Sequence, residues 1–415
     1  MDKSSKQRRW TRAKQAAAAT ALALLLVACA DATDGDGKPP GKAEPKPSTT
    51  APLKTVGKAP ARIPSADRLP GWSHSLGFAA DGSGFALLAD CPEDESPGKC
   101  RQFVAVLDKG AKAWRQGRSP LPAVGNDSGI SSNLVVLGPG RALIAEGLSS
   151  PRGDRTWFTR DGGRTWKTGT STATGTTSEV PKGGTLVTDC LKPGRDGNGC
   201  VRSRLVMITP GSGEYRVLAE QPPLKGMLQP AEHPTGNVLL VTGKDPESAR
   251  PAAVVSHDRG RSWTKTRLRG TSEHTWGFVL AEGKDTLYAA ERGQLPRTAP
   301  QVKNGLLSIH ASNDDGRTWT RVWRYRQGKD DGLNSLLGAP VAAHDGSLTV
   351  YGEEGIWRST DGARTFTRTS PVREPAGYMT TTPLGYLWSD SFGNGSYRIS
   401  ADGIRWHEFT LGASG

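Results

Sequence analysis

Four cysteines stand in two stretches of nearly equal length, "DCPEDESPGKC" with Cys91 and Cys100, and "DCLKPGRDGNGC" with Cys190 and Cys200. Thiols so placed offer two chemistries, oxidation to disulfides or ligation of a metal ion. Metal is the poorer fit, because neither pair has the C-x-x-C form and the seven histidines are scattered. Four cysteines permit three pairings, and the two local pairs are favoured because each closes a short polar loop between apolar runs. No G-x-S-x-G, H-E-x-x-H or G-x-x-x-x-G-K-[ST] arrangement occurs, so the sequence offers no hydrolase elbow, zinc-protease helix or phosphate loop. No cofactor is expected.

The fifth cysteine, Cys29, has a different setting. Lys3, Lys6, Arg8, Arg9, Arg12 and Lys14 precede the apolar run "AAAATALALLLVA" (16–28), which is short for a membrane span and fits an export signal. The run ends in Leu26-Val27-Ala28-Cys29, which resembles the lipobox of bacterial lipoproteins. That resemblance implies removal of residues 1–28, lipidation of Cys29, and stable anchoring on the membrane by more than one acyl chain. From residue 30 to about 60 the chain is rich in Pro, Lys, Gly and Thr with little to bury, so residues 29–65 read as an anchored, disordered linker. Such a coil reaches roughly 30 Å. Removing residues 1–28, with six basic and one acidic side chain, lowers the formal charge from +13 to 13 − 5 = +8. A basic surface favours anionic envelope polymers or headgroups. No dense Lys/Arg run with interleaved aromatics points to nucleic acid.

The elements that carry the disulfide loops are repetitive. Residues 66–415 read as short β-like runs with turns between them, four to a unit, as in "NVLLVTG", "AAVVSHD" and "SWTKTRL" preceded by one further apolar run. A ten-residue corner recurs between the third and fourth runs: "TRDGGRTWKT" (159–168), "SHDRGRSWTK" (256–265), "SNDDGRTWTR" (312–321), "STDGARTFTR" (359–368) and "SADGIRWHEF" (400–409). The Asp accepts backbone N–H bonds, a Ser or Thr two residues earlier adds another, Gly permits the left-handed turn, and the ring covers the corner. Asp108 and Pro210 mark two decayed copies.

This S-x-D-x-G-x-T-W pattern resembles the Asp-box of the bacterial-neuraminidase repeat family. It is carried by Asp161 with Trp166, Asp258 with Trp263, Asp314 with Trp319, Asp361 with Phe366, and Asp402 with Trp406; Ala363 stands where the second-half Gly is expected. The resemblance and the repeat length imply an all-β propeller, with seven four-stranded blades the expected count.

In an antiparallel blade the acidic corners share one end with the loops between strands 1 and 2. The loops between strands 2 and 3, with both cysteine pairs, share the other end with the blade-to-blade connections. Binding is expected at the centre of that second end, with Arg152, Asp154, Arg297, Arg326, Asp331, Arg373, Glu374 and Tyr378 as candidates.

Sialidase chemistry, which the family resemblance implies, needs an arginine clamp and a Tyr–Glu pair. Arg62-Ile63-Pro64 matches the family's Arg-Ile-Pro, and Tyr378 or Tyr386 with Glu353, Glu354 or Glu374 are the only companions, without flanking motifs. His257 and His407 lie in or beside corners, where packing explains them. The expectation is therefore an exported, lipid-anchored propeller that binds a glycan or protein at the cell envelope without catalysis; a sialidase-like exo-glycosidase is the alternative.

Overall fold

The computed structural model describes residues 57–91, 99–125, 130–146, 154–194, 200–232, 238–268, 271–272, 274–296, 302–326, 332–370, 377–390 and 395–412. The described residues form β-strands and turns with no helix, and none of them makes a helix able to cross a membrane. Cys29 and residues 1–28 lie outside the described residues.

The strands group in chain order. The first sheet runs Trp72–Phe78, Gly84–Asp90, Lys99–Leu107 and Arg115–Gly117, with the short Val124–Gly125 paired to its third strand. Five further antiparallel sets of four follow the same order, beginning at Asn133, Lys225, Thr275, Val341 and Tyr378. The third set in sequence differs. Thr185–Pro193, Cys200–Ile208 and Tyr215–Leu218 are antiparallel, but the fourth member, Thr176–Thr177, runs parallel outside Tyr215–Leu218. Its corner is the one where Pro210 replaces Asp. A single bridge, Arg202 to Gly226, joins this set to the next. The expectation of four antiparallel strands in every unit fails here, because "TTSEVPKGG" supplies a two-residue outer strand and no inner one.

Successive residues of a strand face opposite sides. Leu87 packs with Val104 and with Ala142, Ile144 and Trp157 of the second sheet, whereas its neighbour Leu88 packs with Leu387, Ile399 and Phe409 of the last. Both faces of each sheet are thus buried, and for that reason the second strands read as continuous apolar runs such as "FALLA" and "ALIA" rather than as alternation. The same relation carries round the chain. Leu143 and Phe158 meet Val206 and Ile208, Leu205 and Met207 meet Val241 and Val254, and Leu240 and Val255 meet Leu280 and Ala289. Ala290 and Ile309 then meet Val350 and Trp357, and Val341 meets Met379 and Tyr386.

The contact between last and first sheets is reinforced by residues 57–65, which composition assigned to the linker. Ile63 is 3% exposed within the core those two sheets share. The Trp114 indole donates to Pro64 O at 2.9 Å, a ring nitrogen of His407 lies 2.7 Å from Ile63 O, and Ala66 pairs with Leu411. The linker therefore ends earlier than residue 65.

At the acidic corners the expected bonds are present. Asp314 Oδ1 accepts from Thr318 N at 2.8 Å and Oδ2 from the Thr318 hydroxyl at 2.6 Å, while Ser312 Oγ accepts from Gly316 N at 2.8 Å. Asp161 and Asp258 make the same set. The side-chain hydroxyl bond first, then the backbone bonds, holds all three carboxyls down to about 2. The left-handed position carries Gly163, Gly260 and Gly316, and in the fourth corner Ala363 holds φ 65° there despite its Cβ. In the last corner Asp402 accepts from the backbones of Ile404 and Arg405.

Removing one acceptor from such a corner strands several donors. Asp314→Ala is expected to cost about 1–2 kcal/mol in urea unfolding. Asp315→Asn next door, an exposed side chain in a 3.8 Å ion pair with Arg317, is expected to be neutral.

Candidate functional site

Both cysteine pairs are disulfides of the local kind, Cys91–Cys100 and Cys190–Cys200. Each bridges the connection between second and third strands of its set. In the first sheet that end is marked by the Trp72–Ala89 pairing, two residues from Cys91.

Beside it opens a cavity of about 650 Å³ between the first and last sheets, lined by Trp72, His74, Tyr378, Asp390 and Tyr397 among others. The first strand is irregular here, its register shifting between Ser73 and Ser75 around His74. Ser73 turns into the interior, where its hydroxyl lies 2.6 Å from the Tyr397 hydroxyl, and Trp72 and His74 turn the other way with ring centroids 5.6 Å apart. Burial lowers the His74 imidazole to about 4, so the ring is neutral at physiological pH, and its Nε2 is buried without a partner among the described residues. Burial pushes the Tyr397 phenol up to about 12; the Ser73 bond lowers it and the charge of Asp390 raises it further. The wall therefore presents a neutral imidazole, an un-ionised phenol and two half-open rings, Trp72 and Tyr378. Beside the Asp390 carboxylate, such a surface suits hydroxyl-bearing or ring-bearing ligands better than anions.

Of the sequence candidates, only Tyr378 lies here, at 41% exposure. Asp154 accepts the Thr170 hydroxyl at 3.2 Å at the edge of the second sheet. Arg326 is exposed between the fifth and sixth sheets. Arg152, Arg297, Asp331, Arg373 and Glu374 fall outside the described residues. Trp72, His74 and Tyr397 were not anticipated. The one local hint was the aromatic–polar alternation of "GWSHS".

No family model matches the chain, and no curated protein matches it. Among solved structures it is similar to YCF48 bound to D1 peptide, at 13% identity over 81% of this chain and 95% of that one, with a TM-score of 0.42. It is similar at 10% identity to the β-propeller domain of the trilobed protease from Pyrococcus furiosus, over 82% and 94% of the chains, with a TM-score of 0.42. It is also similar to a Hadza microbial sialidase, at 15% identity over 77% and 74%, with a TM-score of 0.38. Superpositions this loose carry no argument about function, so the site stands on its own residues.

Among the groups suggested for sialidase chemistry, Arg62 is exposed and Tyr386, Glu353 and Glu354 are bonded elsewhere. Arg62 is exposed beside the outer strand of the last sheet, while Ile63 and Pro64 make the closure contacts described above. The Tyr386 hydroxyl lies 3.0 Å from both the N and the O of Ala342, and burial raises its pKa strongly. Glu353 accepts from the backbones of Lys303 and Asn304, and Glu354 from those of Asn334 and Ser335. His257 sits in a corner turn and His407 on the closing strand.

Proposed function

We propose that this chain is exported, acylated at Cys29, and displays a seven-bladed Asp-box propeller as a non-catalytic binding module at the cell envelope. Its ligand is an envelope glycan or protein that enters the cavity between the first and last sheets. The seven inter-sheet cores and the recurrent acidic corners support the architecture. The two disulfides are consistent with an oxidising compartment. The observation that carries the binding reading is the contrast between that cavity and the clamp groups. Arg62, Tyr386, Glu353 and Glu354 are each spent on structural contacts or solvent, whereas Trp72, His74 and Tyr378 line an open cavity.

Two measurements test it. Cys29→Ser is expected to move the protein from the membrane to the soluble fraction of the cell; an unchanged distribution removes the anchor. The mature protein is expected to release no fluorophore from sialoside or other aryl-glycoside substrates beyond its own His74→Ala variant. Turnover that disappears with His74→Ala or Tyr378→Phe would overturn the binding reading in favour of a sialidase-like exo-glycosidase.

A further inference from the structure

A second cavity, of about 620 Å³, lies between the fifth and sixth sheets, away from the closing seam. Its position coincides with one substitution in the repeat. In the second sheet the corner ring, Trp166, donates its indole N–H at 2.9 Å to Arg118 O, just beyond the outer strand of the sheet before it. In the fourth sheet Trp263 donates to Glu220 O, shortly after Tyr215–Leu218 of the third set, also at 2.9 Å. These latches close the outer gap at two junctions, while Trp319 of the fifth sheet gives its N–H to Gly316 O of its own corner at 2.9 Å. The sixth sheet carries Phe366 at that position, which has no N–H to give to the carbonyls of Tyr325 and Arg326, and here the gap stands open.

The open groove is lined by rings. Trp323 meets Phe366 edge-on at 6.2 Å, and Tyr325 and Trp357 complete the wall. Trp357 is 6% exposed, its Nε1 is buried, and that N–H has no acceptor among the described residues. An indole N–H shut away from water without a partner is destabilising, a deficit that a ligand oxygen can remove. The charges at the groove are of one sign. Arg326 and Arg364 line it and no carboxylate does among the described residues. Arg321 and Arg324 also border it, so four arginines surround the groove.

We infer that this groove binds an acidic oligosaccharide, a run of sugar rings bearing carboxylates. The rings offer amphipathic platforms for the apolar faces of sugars. Trp357 Nε1 offers a donor to a hydroxyl or ring oxygen, and the Arg326 and Arg364 guanidiniums pair with the carboxylates. The volume falls within the range of small-molecule sites. The inference is independent of the seam cavity and stands or falls separately from it.

The test is calorimetric titration of the folded mature protein with tetragalacturonate, with cellotetraose and glycerol phosphate oligomer as comparison probes. Tetragalacturonate is expected to bind at least about tenfold tighter than either comparison probe, one decade being the smallest difference counted. Phe366→Trp, which restores the indole latch, is expected to abolish that binding while leaving the thermal midpoint unchanged or higher. A merely structural role for these rings would not produce that pairing. Arg326→Ala is expected to weaken tetragalacturonate and leave cellotetraose unaffected. Equal binding of cellotetraose, preference for the glycerol phosphate oligomer, absence of binding by all three, or full binding by Phe366→Trp would each overturn the inference. Loss of binding by His74→Ala with groove variants unaffected would place the ligand in the seam cavity instead.

Discussion

Replacing Ile63 by alanine will lower the unfolding free energy by about 3 kcal/mol, the middle of the range for deleting a fully buried Ile side chain. The effect is large because of where Ile63 sits. Its side chain enters the core shared by Phe78 and Leu88 of the first sheet and Leu387, Ile399 and Phe409 of the last, so it fastens together segments from the two ends of the body. The backbone around it is committed to the same contact through Trp114 and His407. A cavity left there weakens the closure between last and first sheets, whereas Arg62→Ala, one residue earlier and exposed, is expected to change stability by less than about 0.5 kcal/mol. Urea titration of the two variants separates the possibilities. If residues 57–65 were a linker, both substitutions would be silent. If Arg62 were a ligand clamp, its replacement would alter binding while Ile63→Ala altered only the unfolding midpoint.

The all-β nature and the corners were legible because each rests on local chemistry. An Asp that accepts several N–H bonds, a hydroxyl two residues earlier and a residue in the left-handed region must lie within eight positions of one another, so the pattern survives in the sequence as spacing. The third set was misread for the complementary reason. With Pro210 in place of Asp, its corner relies on Thr209 and Ser212, and nothing in the spelling of residues 176–184 announces that an inner strand is missing. The closing segment was hidden by composition, since one buried Ile in a stretch rich in Pro and Lys carries no period. The seam cavity was out of reach for a different cause. Ser73 and Tyr397 touch across 324 positions of sequence, and His74 acquires its lowered basicity only from the burial that this long-range closure creates. Local spacing cannot encode such a site; only ring closure assembles it.

Acidification from pH 7 to pH 4 is expected to remove about 4 kcal/mol of stability, and two histidines set both the size and the window. Burial lowers His74 and His310 to about 4 in the folded protein, against about 6.5 in an unfolded chain. The unfolded state therefore takes up protons first, so acid favours unfolding, beginning below pH 6.5 and complete near pH 4. Two such shifts sum to an upper bound of about 7 kcal/mol, and the partial exposure of His74 reduces it. His310 is fully buried, with Nε2 2.9 Å from Ser308 Oγ. Ser308 gives its own proton to Glu291, so it accepts from Nε2–H, and Nδ1 is left without a proton or partner. Glu291 works in the opposite direction, because burial raises its pKa and its protonation in the folded state accompanies the same fall in pH. His74 has no such companion, so the cleaner experiment is His74→Gln. That variant should flatten the slope of the unfolding free energy between pH 6.5 and 4 by close to half. It should leave untouched the second loss below pH 4, where the corner carboxyls, held at about 2 against the 3.8 of an unpaired aspartate, are finally protonated. Asp314→Asn should do the reverse, softening the loss below pH 4 and preserving the histidine window. Equal slopes in all three proteins across the upper window would mean that the His74 imidazole is solvated in the fold, and the seam cavity would then lack its neutral ring.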